Sequence, residues 1–218
     1  LVEVEVQDPA LRRHPSSVPA GTDWVLPAMD EQGVRCRSWR LTCCPMADPT
    51  TPVPVTDRPL FPPGYGVPTT TRGILAWTDV EPRLVAALHY WLATVRPDGT
   101  PHVVPRWGVW LDGRFWYDGA PTTRHARNLA ANPACSVNLE NGAEAVIVEG
   151  TSTPTRADAD GLGNRLAEAF GKYHELGYSP GADSWSGEGG GGLCVLTPRR
   201  ALAWFSFPTD CTRFRFEP

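Results

Sequence analysis

From Trp77 onward the apolar residues follow two spacings, one of a strand and one of a helix, and recognisable turns separate the segments that carry them. Thr78 and Glu81 stand three residues apart as a capping box and predict a short helix through Leu88. YWLATVR, the turn PDGT and PHVVPRWGVWL then read as two strands of a hairpin, rich in β-branched and aromatic residues. A turn at Asp112-Gly113 leads into RFWYDG, so three consecutive antiparallel strands are expected. A helix over Thr123–Asn132 follows, and ACSVNLE, the hairpin dipeptide Asn141-Gly142 and AEAVIVEGTSTPT give two more strands. From about Asp158, ADADGLGNRLAEAFGKYHEL places Leu162, Leu166, Ala169, Phe170 and Tyr173 on one helical face. The loop SPGADSWSGEGGGG separates that helix from LCVLTP, ALAWFSF and TRFRF. Its glycine run, Gly187 to Gly192, lacks the GK[ST] of a phosphate loop and has the composition of a flexible connection. Six to eight strands with two or three helices between them predict a mainly β protein, an antiparallel barrel or sandwich with helical crossovers.

Residues 1 to about 72 keep neither spacing beyond the short VEVEV alternation, and PVPVTDRPLFPPGYGVP is typical of their proline content. Such a segment has too little patterned apolar surface to offset its ordering entropy, so a poorly ordered extension is expected there and a folded domain over 73–218. Met46 opens MADPTTPVPV as a natural start, which makes residues 1–45 an expected upstream addition.

The 218 residues suffice for one domain with a complete core. A net charge of −4 argues against non-specific attachment to nucleic acid or to an anionic membrane, so any anion site has to be local. No apolar run is long enough to cross a membrane as a helix, and the first residues lack the regions of a secretory signal. A cytoplasmic location is the resulting expectation. Cys36, Cys43, Cys44, Cys135, Cys194 and Cys211 show no zinc spacing and read as reduced thiols, with no metal site implied.

The helix TTRHARNLAANP carries the wrong charges at its start. A helix N-terminus favours acidic residues, yet this one opens on Arg124 and His125 with Arg127 following. Thr122 or Thr123 is placed as N-cap, and Arg124 and Arg127 share a face. Free amides, a hydroxyl and two guanidinium groups then converge as in a phosphate site. The alternative is that both arginines are solvated or paired with acidic neighbours such as Asp118. There is no GxSxG or HExxH, and His102 and His174 sit where structural histidines do, so a bound cofactor is expected to supply any difficult chemistry.

Taken in order, YWLATVRPDGTPHVVPRWGVWLDGRFWYDG, TTRHARNLAANPACSVNLENG and AVIVEGTSTPT resemble the pyridoxamine 5′-phosphate oxidase-like family of flavin and deazaflavin proteins, with TPRRALAWFSF and TRFRF as its closing strands. The match covers about Trp77 to Phe216 and is nearer to the deazaflavin-type members than to the oxidase itself. The resemblance implies a split β-barrel forming a homodimer, with FMN or the deazaflavin F420 in a groove between subunits. It implies that Val104, Pro105, Arg106 and Trp107 run along the ring system and that Asp118 and Gly119 lead towards the cofactor chain. The family's Ser/Thr-Arg-Lys phosphate triplet falls on Thr123, Arg124 and His125, so the third position departs from Lys and holds a side chain only partly charged near neutral pH; the expectation is either a lower or pH-dependent phosphate affinity or compensation by Arg106 or Arg127. Arg213 is carried over to the substrate side. No catalytic acid is assigned. The implied function is hydride transfer between the cofactor and a small conjugated organic substrate, and the alternative is a protein that carries or senses the cofactor. Trp107, Trp110 and Trp116 are candidates either for stacking on the ligand or for the barrel core.

Overall fold

The computed structural model describes residues 53–217, and these build nine strands around a shared core. In chain order the strands are β1 Val55–Asp57, β2 Tyr90–Val95, β3 Pro101–Arg106, β4 Val109–Leu111, β5 Arg114–Tyr117, β6 Ala134–Asn138, β7 Ala145–Pro154, β8 Cys194–Trp204 and β9 Thr212–Arg215. The α-helices are α1 Trp77–Ala86, α2 Arg124–Ala131 and α3 Asn164–Phe170. Every strand pair is antiparallel, in the order β1-β9-β8-β7-β6-β2-β3, while β4 pairs with β5 and β5 with β8. β8 therefore uses both edges. β7 lines one along the full strand, and the other receives β5 at Cys194–Leu196 and β9 at Arg200–Ala203. The gap between β5 and β9 is the split of a split β-barrel, the expected fold class.

Alternation explains why these segments are strands. β2 buries Tyr90, Leu92 and Thr94, and β7 buries Val146, Val148 and Ser152, so one face of each turns inward. They meet Phe115, Tyr117, Val137, Leu196, Ala201 and Phe214, and α1 closes the core with Trp77, Val80 and Leu84. Each fully buried side chain of this size contributes roughly 1.5–3 kcal/mol. A second core of Val109, Trp116, Leu166, Phe170, Tyr173, Trp185, Leu193 and Val195 joins β4 and β5 to residues 155–193.

Several expectations are corrected. α1 starts two residues earlier than a Thr78 cap implies and ends at Ala86, and the side chain that reaches back to the N-terminal backbone is Asp79, which accepts from the Ala76 amide at 3.1 Å. Glu81 instead accepts from Trp110 Nε1 at 2.9 Å. β3 and β4 are separate strands that do not pair, because Trp107-Gly108 leaves the ladder and Gly108 bonds to the Tyr173 hydroxyl. The β4–β5 turn is as read, with Asp112 at φ 54° and Gly113 at φ 67°. LCVLTP and ALAWFSF form one strand, β8, because β7 pairs with it throughout. Arg199 is an extra residue in that ladder, opposite the Glu149–Gly150 step, and Pro198 beside it loses no regular bond.

The glycine run is not a loose connection. Gly192 has φ 76°, and a Cβ there would lie 2.0 Å from the Gly119 carbonyl oxygen, so this glycine is required by close packing on β5's exit. Residues 53–72 are also not a loose extension. β1 pairs with β9, and the buried Arg58 guanidinium binds four backbone carbonyls. The expected extension 1–45 lies outside the described residues, as do Cys36, Cys43 and Cys44. Cys135, Cys194 and Cys211 are free thiols. Among the described residues no cluster suits a metal ion, and no helix is long and apolar enough to cross a membrane.

Candidate functional site

α2 forms because His125, Asn128 and Leu129 repeat at helical spacing and bury one face against the barrel. Its N-cap is Thr123, as expected, in extended conformation. The Thr123 hydroxyl donates backward to the Ala120 carbonyl at 2.9 Å and caps nothing in the helix. The first amides of α2 are therefore without a side-chain acceptor, and the positive end of the helix is open to an anion.

Arg124 opens α2 and, with Arg96 after β2, acts on His102; Arg106, closing β3, lies 6.0 Å over the Tyr117 ring, whose centroid is 6.3 Å from that of His125; Arg127 follows further along α2. None of these arginines forms an ion pair with a carboxylate among the described residues. Asp118, the acidic neighbour suggested as a partner, is engaged elsewhere: its Oδ2 accepts from the Tyr178 hydroxyl and from Trp185 Nε1 at 2.8 Å. Arg106 donates one NH2 bond to the Asp118 backbone carbonyl, and its Nε is buried without a partner. Arg96 Nε is likewise buried and unpartnered. Guanidinium groups left without acids beside an open helix N-terminus are suited to holding an anion.

The histidines report the same field. His102, on β3, is held below the usual imidazole range by burial, with Arg96 and Arg124 adding to the effect. His125 is 5% exposed, its Nε2 3.3 Å from the Thr123 hydroxyl. Burial, then Arg106, then His102 push its pKa down to about 3. His125 is thus a neutral buried residue and does not supply the partial charge expected of the third triplet position. The positive charge of the site rests on the arginines.

This has a measurable consequence. Above pH 6.5 His125 is neutral in both folded and unfolded chains; between 6.5 and about 3 only the unfolded chain takes up the proton, so stability falls as pH falls through that window. About 2 kcal/mol is lost between pH 7 and 5 on this account. His125→Gln is expected to flatten that part of the acid slope in urea titrations at pH 5 and 7. Parallel slopes for the two proteins would refute the assignment.

The remaining candidates separate. Val104 packs partly against the core, whereas Pro105 is exposed on the outer face of β3. Trp107 is half-buried and stacks on Tyr173 at 5.1 Å between ring centroids. Trp110 and Trp116 are core residues, with indole nitrogens bound to Glu81 and to the Leu111 carbonyl. Gly119 leaves room for Arg106, whose NH2 would lie 2.8 Å from a Cβ there. Arg213 is not brought to this region. It makes a two-pronged pair with Asp57 at 2.7 and 2.8 Å, five strands along the sheet from β3.

Sequence reasoning missed Arg96, His102, Tyr178 and Trp185. The PDGT hairpin sets Thr94 opposite His102 and leaves Arg96 at the turn, so those two were within reach of the register. Asn128 donating to Thr94 Oγ1 at 3.0 Å is what brings α2 over that pair, and no local signal announces it.

Residues 82–205, more than half the chain, match the family model for pyridoxamine 5′-phosphate oxidase. The chain belongs to that family. No curated protein matches it. Solved structures similar to this member of the pyridoxamine 5′-phosphate oxidase family include an F420 reductase, 23% identical over 54% of this chain and 90% of that one, with a TM-score of 0.39. Conserved hypothetical protein Rv2991 of Mycobacterium tuberculosis is 20% identical over 62% of this chain and 88% of its own, with a TM-score of 0.49. A heme-binding protein of Mycobacterium smegmatis is 18% identical over 59% and 54% respectively, with a TM-score of 0.43. The residues at the start of α2 in this pyridoxamine 5′-phosphate oxidase family member fit a phosphate group: uncapped amides, unpaired guanidinium groups and a buried, unpartnered Arg106 Nε.

Proposed function

We propose that this chain is an oxidoreductase that holds F420 or FMN by its phosphate at the start of α2 and exchanges hydride with a small conjugated organic substrate. The observation that carries the reading is an uncapped helix start that opens on Arg124, with Arg106 reaching the Tyr117 ring beside His125 and no carboxylate ion-paired with either arginine among the described residues. Arg124, the α2 amides and Arg106 would bind the phosphate oxygens, and the Thr123 hydroxyl, which now donates to the Ala120 carbonyl, would have to turn from it to join them. The β3 backbone at 104–107 would flank the ring, and Asp118 and Gly119 the chain between ring and phosphate. When bound, the cofactor supplies a carbon or nitrogen centre that accepts or donates hydride.

The protein's own part is binding, orientation and exclusion of water. The buried groups beside the site are poor proton donors at neutral pH: His125 is neutral, and the Tyr117 phenol is held far above its ordinary range chiefly by burial. A proton for the substrate then comes from solvent or from the substrate itself. The same observation favours a second reading, a protein that carries or senses the cofactor without turnover. Steady oxidation of reduced cofactor by an added acceptor separates the two.

A homodimer belongs to the proposal, with the outer face of β2 and β3 as its interface. Val95 and Val103 are 40% and 54% exposed there, beside exposed Pro101 and Pro105. The test is a titration with F420 and with FMN, followed by fluorescence, on material whose mass sedimentation shows to be that of two chains. Arg124→Ala is expected to weaken binding about tenfold, the loss of one charge-assisted hydrogen bond at an exposed position. Equal affinity in the two proteins would remove Arg124 from the site.

A further inference from the structure

We propose that Tyr178 and Trp185 are positioning residues for the anion site, holding Asp118 so that its carbonyl fixes Arg106 at the start of α2. The inference rests on the phosphate reading given above and adds to it two residues far along the chain from any phosphate motif.

Residues 155–193 leave the barrel at Pro154 and return at Cys194, which pair in the β7–β8 ladder. Between these points the chain grips the site strands twice. The first grip is Tyr173, whose hydroxyl accepts from the Gly108 amide at 3.0 Å and lies 2.7 Å from the carbonyls of Leu88 and Gly108. The second is on Asp118-Gly119. Tyr178 and Trp185 both donate to Asp118 Oδ2, and the Gly119 amide donates to the Gly192 carbonyl at 3.3 Å. Trp185 is 1% exposed and packs on Phe170, with ring centroids 5.5 Å apart, so the anchor on Asp118 is itself immobile.

From Asp118 the contact passes to Arg106. The Asp118 backbone carbonyl accepts from Arg106 NH2, and the guanidinium fills the space that a side chain at residue 119 would occupy. Arg106 in turn lies 6.0 Å over the Tyr117 ring, whose centroid is 6.3 Å from that of His125, one residue into α2. A free arginine side chain loses considerable rotamer entropy when it clamps an anion, and one already tethered at NH2 loses less. Holding the Asp118 carboxylate on Tyr178 and Trp185 has a second effect. Released, it would be free to turn towards Arg106 and compete with the anion for the guanidinium.

The test compares two ligands that differ by the phosphate alone, FMN and riboflavin. Tyr178→Phe keeps the ring and its packing on Phe170 while deleting the bond to Asp118. The expected result is a fall of about tenfold in the preference for the phosphorylated ligand, with affinity for the phosphate-free one unchanged. Tyr173→Phe removes a more deeply buried hydroxyl from the other grip and is expected to keep the wild-type preference. Trp185→Phe should follow Tyr178→Phe, near-UV circular dichroism showing which variants are folded. Wild-type preference retained in Tyr178→Phe overturns the inference, as does an equal loss for both ligands, which would mark a purely structural role. Wild-type protein with no preference for phosphate would overturn the phosphate reading itself, and this inference with it.

Discussion

Replacing Arg58 by Ala lowers the stability of the domain by about 3–5 kcal/mol, seen as a large fall in the urea midpoint. The side chain is 8% exposed and has no carboxylate partner among the described residues. Instead its fork is spread over four carbonyls: Nε to Thr70 at 3.0 Å, NH1 to Thr209 and Cys211 at 2.9 Å each, and NH2 to Arg72 at 2.8 Å. Removing it leaves these acceptors without a donor in a place where water enters poorly, and each orphaned group costs roughly 1–3 kcal/mol. Arg58→Lys is expected to recover only part of the loss, because a compact ammonium cannot reach acceptors spaced for a planar fork. A loss below 1 kcal/mol for Arg58→Ala would mean that residues 53–72 are not part of the cooperative unit.

Replacing Arg106 by Ala weakens binding of the phosphorylated cofactor about 100-fold, or roughly 2–3 kcal/mol, in the same fluorescence titration. The effect exceeds that of Arg124 because Arg106 is half-buried, where charge-assisted bonds are less screened, and because one of its donors is already committed to the Asp118 carbonyl. The variant also relieves the field that opposes protonation of His125, so the acid sensitivity assigned to that residue is expected to lessen in step. Unchanged affinity would leave Arg106 a structural strut and move the anion site towards Arg96 and Arg127.

Much of the barrel was legible because its signals are local. Asp112-Gly113 demanded a tight turn and formed one, and α2 is bounded by Thr123 and Asn132 as its cap residues suggested. Strand breaks and continuities were not legible. Trp107-Gly108 looks like the middle of one strand until Tyr173, 65 residues later, bonds to Gly108. Pro198 looks like the end of a strand until β7 carries the ladder past it. The same limit applied to the site. The charges at the helix start could be read from TTRHAR, but not the burial of His125, which depends on Tyr117 and β3 lying beneath it. Nor could the sequence show that Arg58, in a stretch of prolines, would find its acceptors 151 and 153 residues away.

The pairing of Pro154 with Cys194 has a consequence for how this fold can vary. The 39 residues between them begin and end one strand spacing apart, so they form a cassette on a hairpin whose ends stay put whatever it contains. The entropic penalty of closing such a loop grows only with the logarithm of its length, so the β7–β8 register places little constraint on the cassette's length. The chemistry is not indifferent, because Gly108, Asp118 and Gly119 take their positions from it. The candidate site therefore spans barrel and cassette, and exchanging one without the other would displace these three residues.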